Sequence, residues 1–300
     1  FYIANGLNTV TIAGLNLING NGNGISFSGQ GGAIYNANQG TTTLREISIS
    51  GSSAFLGGAI EFQTNSFSSS STILNLIRST LSGNTATASS GAGGIDIRGN
   101  GTLNVVNSTI AGNQGGGIRT SVGGINLIVN LVNSTLASNQ GEGLKLIGSM
   151  NFANVRNTVL TLNSGGDLAL FGGAIFVSNG YNIFGTGIPG GAVQPTDQVG
   201  VNPLFELDGS NLPKLAFNGG PTQTIKLLPG SPAIDKGAAA NDPSTNQPLT
   251  TDQRGQARPF DIAAVSNANS GNGSDIGAFE VQCSTITLAA LPGGVVNTPY

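Results

Sequence analysis

Ser79-Thr80-Leu81-Ser82-Gly83-Asn84, Ser108-Thr109-Ile110-Ala111-Gly112-Asn113 and Ser134-Thr135-Leu136-Ala137-Ser138-Asn139 are three versions of one phrase. Looser versions lie around Leu17, Ile49 and Leu160, so the central apolar residue recurs at 17, 49, 81, 110, 136 and 160, with spacings of 32, 32, 29, 26 and 24 residues. Self-similarity on this scale marks a solenoid or an array. A period that shrinks along the chain suits a coil whose turns differ in loop length. Stacked helix pairs would need a near-constant period.

Two further phrases lie between these anchors. One is Gly31-Gly32-Ala33-Ile34, Gly57-Gly58-Ala59-Ile60, Gly93-Gly94-Ile95, Gly116-Gly117-Ile118 and Glu142-Gly143-Leu144. The other is carried by Thr43-Leu44-Arg45-Glu46-Ile47, Ile73-Leu74-Asn75-Leu76-Ile77, Leu103-Asn104-Val105-Val106 and Leu127-Ile128-Val129-Asn130-Leu131. Three short strands per turn, each alternating apolar with polar residues, predict an all-β fold: a right-handed, single-stranded parallel β-helix, a solenoid whose inward residues stack in ladders. The glycine pairs are expected at corners, where the backbone turns with positive φ. Six or seven coils about 4.8 Å apart make a rod roughly 30 Å long.

Composition agrees. The 300 residues include 48 glycines and no histidine, and only 8% are charged, against about a quarter in an ordinary globular domain. Gly, Asn, Ser and Thr between the apolar positions disfavour long helices. A formal charge of −3 offers no polycationic face, so nucleic acid is not an expected partner. No apolar run reaches the roughly 18 residues that span a bilayer, so no membrane insertion is expected within this chain. Cys283 is the only cysteine, which excludes an internal disulfide.

The GGAI and NSTLSGN phrases resemble those of bacterial secreted and cell-surface β-helix proteins, including polymorphic outer-membrane protein repeats and pectate-lyase-like solenoids. A more specific resemblance lies downstream, in Asn218-Gly219-Gly220-Pro221-Thr222, Leu228-Pro229-Gly230-Ser231-Pro232-Ala233-Ile234-Asp235, Thr251-Asp252-Gln253-Arg254-Gly255 and Asp275-Ile276-Gly277-Ala278-Phe279-Glu280. These phrases, in that order, resemble the end of the choice-of-anchor Q β-helix proteins. The resemblance implies export, bacterial cell-surface or extracellular localisation, and a structural or adhesive role. Phe1 follows no recognisable leader, so a processed or incomplete start is expected.

The chain divides by chemistry. Before residue 190 five acids face six bases; after it, nine acids face five bases. The expected organisation is parallel β-helix coils over 1–190, then irregular C-terminal coils over 191–282 that cap the end of the solenoid. Residues 283–300 resemble a linker and the first strand of an immunoglobulin-like module, so such a module is expected to follow. A cap is expected because open strand edges recruit other chains.

Candidate chemistry is sparse. The residue after each Gly-Gly-x-Ile stacks as Tyr35, Glu61, Asp96, Arg119 and Lys145, on an outward face. Glu61 and Asp96 on neighbouring coils resemble the paired carboxylates of a glycoside hydrolase, with Arg98 and Arg119 beside them. The competing reading is a solvated ladder with one Asp–Arg pair, which contributes little. Asn84, Asn113, Asn139 and Asn163 recur at one position of the coil, and Asn107, Asn133 and Asn157 at another. Both sets read as structural amide ladders or corner caps. Asp252, Asp261 and Asp275 are weak candidates for calcium, since no spacing matches a known calcium loop. No catalytic residue and no cofactor are expected. The partners expected are further copies of the chain or neighbouring surface proteins, including end-to-end stacking into a fibre. The alternative is a carbohydrate-binding or polysaccharide-degrading module on the Glu61/Asp96 face.

Overall fold

The computed structural model describes residues 1–282 apart from 7, 23–28, 65–71, 122–125 and 189–192; the expected linker and immunoglobulin-like strand over 283–300 lie outside the described residues. The described residues contain strands and no helix, so none is long and apolar enough to cross a membrane. Three all-parallel sheets form the walls of a β-solenoid, and the chain visits them in rotation.

The first sheet stacks Tyr2–Ile3, Ile34–Asn36, Ile60–Gln63, Ile95–Arg98, Ile118–Thr120, Leu144–Ile147 and Leu168–Phe171. The second stacks Thr9–Ala13, Thr41–Arg45, Ile73–Ile77, Gly101–Val106, Leu127–Val132, Asn151–Arg156 and Ile175–Ser178. The third stacks Asn16–Ile18, Ser48–Ser50, Thr80–Ser82, Thr109–Ala111, Thr135–Ala137, Val159–Thr161, Ile183–Phe184 and Gln198–Val199. Register follows the anchors read from the sequence: Leu17, Ile49, Leu81, Ile110, Leu136 and Leu160 are successive partners, and Phe184 continues the column. Alternation turns these residues inward with Ile34, Ile60, Ile95, Ile118 and Leu144 of the first sheet and Leu44, Leu76, Val105 and Leu131 of the second. They make one continuous apolar core.

The glycines of the corner pairs serve two different needs. Gly31 and Gly57 take positive φ, +64° and +58°, where a side chain is strained. Gly32 and Gly94 do not; a Cβ on either would overlap the carbonyl oxygen of the next coil, Gly58 and Gly117 respectively. Close approach of coils, rather than the turn, fixes the second glycine.

The corner between second and third sheets is a two-residue turn. Its first residue is left-handed: Gly14, Glu46, Arg78, Asn107, Asn133 and Asn157, with φ between +47° and +68°. Asparagine tolerates this region, which accounts for three of the six. Glu46 and Arg78, less suited to it, form an ion pair with each other. The second residue binds across coils. Ser79, Ser108, Ser134 and Thr158 each accept, through the hydroxyl, the backbone N–H of the equivalent residue one coil earlier.

The Asn84–Asn113–Asn139–Asn163 ladder runs through the next corner. Each Nδ2 donates to the following Oδ1 at 2.9–3.0 Å, and each Oδ1 also accepts the preceding coil's backbone N–H. All four amides are buried. The ladder ends on Asp167, whose Oδ1 accepts from Asn163 and whose Oδ2 accepts from the Thr186 N–H. A carboxylate suits this end because it accepts on both sides and has no N–H left over.

The second half departs from the expected cap. Only Gln198–Val199 extends a sheet of the solenoid; residues 201–282 lie along its flank, against the outer face of the third sheet. Thr80, Thr109, Thr135 and Asn157, on four successive coils, all hydrogen-bond to it. The reason is on that face: Ala111, Ala137, Val159 and Ile183 point outward there and pack with Phe205, Ile225, Leu227, Ile234, Ile276 and Phe279 in a second core. Apolar residues on an outer sheet face must be covered. At the end of the solenoid, Phe176 meets Phe184 edge to face at 5.9 Å, and Ile188 packs against the same core.

Candidate functional site

The column following Gly-Gly-x-Ile is assembled as the sequence implies. Tyr2, Tyr35, Glu61, Asp96, Arg119 and Lys145 are successive register partners on the outer face of the first sheet. The Tyr2 and Tyr35 rings stack at 5.7 Å and 14°. Arg98 Nε lies 3.2 Å from Glu61 Oε1 and 3.4 Å from Asp96 Oδ1, and its N–H is aligned on Asp96. Arg119 Nη1 donates to Asp96 Oδ2 at 3.1 Å. Lys145 pairs with Glu142 at 2.7 Å, with its ammonium 5.3 Å from the Phe171 ring centre.

The solvated ladder read from alternation is corrected here. Glu61 and Asp96 face outward but have no exposed surface, while the Arg98 and Arg119 side chains beside them retain 33% and 13% exposure. Alternation tells which way a side chain points and says nothing of what lies over it. Burial pushes the Glu61 carboxyl up to about 9, with the neighbouring Asp96 raising it further and the two arginines opposing. Asp96 is raised for the same first reason and held back by Arg119 and Arg98. Both Glu61 oxygens are buried without a hydrogen-bond partner, consistent with a carboxyl that keeps its proton. Paired carboxylates cut a glycosidic bond only when they reach it, and neither acid reaches solvent in this arrangement.

The four phrases of the second half converge on the flank. Asp252 accepts from Arg254 N and Nε at 2.8 Å, and from the N–H groups of Gln256 and Glu280. Arg254 is 3.8 Å above the Phe279 ring and also donates to the Asn218 carbonyl. Glu280 accepts from Arg258, Phe260 and Asp275, and Asp275 accepts from Asp235 and Val281. Burial and then the Glu280 charge push the Asp275 carboxyl up to about 8. The oxygens of Asp252 and Asp275 are therefore committed to the chain itself, and Asp261 is exposed. Among the described residues no group of three or more acidic, histidine or cysteine side chains is placed to hold a metal ion.

Gln253, which sequence reading passed over, fastens this unit to the solenoid. Its Nε2 lies within hydrogen-bond reach of Thr80 Oγ1, Thr222 Oγ1 and the Ser79 and Gln223 carbonyls, and its Oε1 accepts from Thr109 at 2.6 Å. Gln253→Leu keeps the volume and leaves these buried groups unpaired, at a cost of about 1–3 kcal/mol. The expected result is faster proteolysis within 201–282 with the solenoid intact, read by mass spectrometry of the fragments. Uniform cleavage of both halves would refute a latch at this residue.

Also missed was an outer ladder on the second sheet. Asn104, Asn130 and Asn154 each donate Nδ2 to the asparagine one coil earlier, Asn75, Asn104 and Asn130, at 2.8–2.9 Å. Its spacings of 29, 26 and 24 are those of the anchors, so the signal was present. Of the other corner set, Asn157 Nδ2 reaches Asn133 Oδ1 at 3.0 Å, whereas Asn107 turns to the Thr251 carbonyl on the flank. No protein-family model, curated protein or solved structure matches the chain, so its functional reading rests on this geometry.

Proposed function

We propose that the chain is an extracellular structural or adhesive protein of the bacterial surface, a rigid β-solenoid rod that associates with further copies or with neighbouring surface proteins. The observation that carries this reading is the continuous core and amide ladder running through consecutive coils, which makes a stiff body with variable loops at its corners. The downstream phrases support it further. Their resemblance is to the choice-of-anchor Q type, and in this chain they build the clamp that fastens the flank. Antibodies raised against the chain should label intact cells of the source organism, and brief protease treatment of those cells should release the label. Labelling that appears only after lysis would overturn the reading.

The stacked Tyr2 and Tyr35 rings, with Arg98 and Lys145 on the same face, favour a second reading: a polysaccharide-binding strip that does not cleave. Sugar rings stack on aromatic faces and their hydroxyls take hydrogen bonds from cations. Retardation in gels containing soluble polysaccharides, lost on Tyr2→Ala with Tyr35→Ala, supports it. Cleavage abolished by Glu61→Gln or Asp96→Asn would instead establish an enzyme.

A further inference from the structure

Six residues of the flank, Asp275-Ile276-Gly277-Ala278-Phe279-Glu280, form a loop whose ends meet: the Asp275 N–H donates to Glu280 Oε2 at 2.9 Å. The middle of this loop touches the solenoid. Gly277 donates its N–H to the Asn157 carbonyl at 2.8 Å and Ala278 to Thr135 Oγ1 at 3.0 Å, while Ile276 and Phe279 pack in the second core with Ala137 and Val159. The Ala278 carbonyl also accepts from the Gln253 N–H at 3.1 Å, which ties the loop to the latch residue.

The two ends of the loop are carboxyls, and both are buried. Arg258 gives its Nε to Glu280 at 2.8 Å, and its two buried Nη groups find no acceptor. Asp275 joins no ion pair among the described residues; its oxygens accept only the backbone N–H groups of Asp235 and Val281, at 2.8 and 2.6 Å. The other charges nearby do not supply a partner. Asp252 is paired with Arg254, and Asp235 accepts the Ile262 N–H with Asp261 and Lys236 acting on it in opposite senses. Thr135, Val159 and Asn157 on the wall opposite carry no charge. Burial, and then the Glu280 charge, keep the proton on Asp275 up to about 8.

We propose that this loop is a pH-responsive catch: closed, with Asp275 neutral, it seats the flank on the third sheet, and with Asp275 ionised it lets residues 201–282 lift and uncover Ala111, Ala137, Val159 and Ile183. Two carboxylates at the ends of one loop repel, and the Gly277 and Ala278 N–H groups reach the wall together only while those ends meet. The sign follows from where the proton is held. Lifting returns Asp275 to water and to its ordinary 3.8, so the seated form binds a proton that the lifted form gives up. Seating is firmest below 3.8, weakens as pH rises, and is level again above about 8. Between those values the ratio of lifted to seated chain grows about tenfold per pH unit. The inference does not depend on the location or partners of the rod.

The test is hydrogen exchange of the full chain, read by mass spectrometry across a pH series with exchange times scaled to the intrinsic rates. In wild type, peptides from 201–282 are expected to be less protected than those of the coils, and to lose protection on the order of a thousandfold between a pH of about 5 and about 8. Asp275→Asn, which cannot ionise, is expected to hold the protection of the flank nearly level over that range. Flank protection that is level in wild type, or that falls as steeply in Asp275→Asn, overturns the proposal. So does a flank that shares one protection factor with the coils at every pH, because it then opens only with the whole chain. Should Asp275→Asn fail to seat the flank at all, the wild-type series decides: a loss of about tenfold per pH unit that levels off above about 8 supports the catch, and one that continues unchanged to about 10 overturns it.

Discussion

Asn139→Ala is expected to lower the midpoint of thermal unfolding by about 10 °C, the cost of several buried polar groups left unpaired at once. The Asn139 amide donates to the Ile110 carbonyl at 3.1 Å and to Asn163 at 2.9 Å, while its oxygen accepts from both the N–H and the Nδ2 of Asn113. Alanine removes all four contacts in a site with 1% exposure, where water cannot replace them. Asn154→Ala is the internal control. It breaks one rung of the outer ladder at a half-buried position, so solvent can satisfy the partner and the loss should be about 1 kcal/mol. Calorimetry that gives equal losses for the two would show that burial does not set the value of these ladders.

The second large effect concerns pH. Glu61 holds its proton in the folded chain up to about 9 and ionises near its ordinary 4.5 when unfolded. Between those values the folded state binds more protons than the unfolded state, so stability falls as pH rises and is level on either side. Asp275 acts in the same sense between 3.8 and about 8. Glu61→Gln retains the neutral form permanently. Its advantage over wild type should be near zero at a pH of about 4 and on the order of 3 kcal/mol at a pH of about 9. Urea titrations at both values measure it; parallel loss by the two proteins would show that Glu61 ionises freely in the folded state.

Much of the fold was legible because a solenoid repeats its reasons. Inward apolar residues must meet their counterparts one coil away, so the spacing of Leu81, Ile110 and Leu136 reports register directly. The same spacing governs Asn84, Asn113 and Asn139, whose hydrogen bonds demand it as strictly as packing does. Two features were less accessible. The path of residues 201–282 depends on which wall needs covering, and the outward Ala111, Ala137, Val159 and Ile183 that decide it sit among residues suited equally well to an exposed strand. The burial of Glu61 and Asp96 depends on what surrounds the column in three dimensions, which alternation along one strand cannot convey.

The Asn84 to Asn163 ladder also has a bearing on how such a chain changes length. Every rung donates to its successor through the same amide group with which it accepts from its predecessor, and Asp167 alone closes the series. The ladder by itself therefore admits a whole coil more or less, with each of its donors still finding an acceptor, whereas a partial coil leaves one stranded; the flank, bonded to Thr80, Thr109, Thr135 and Asn157, is what holds the number of coils beside it fixed. The terminator is written once and the ladder's interior is modular. Rods of different reach are thus accessible from one sequence by adding or deleting complete turns ahead of those the flank spans.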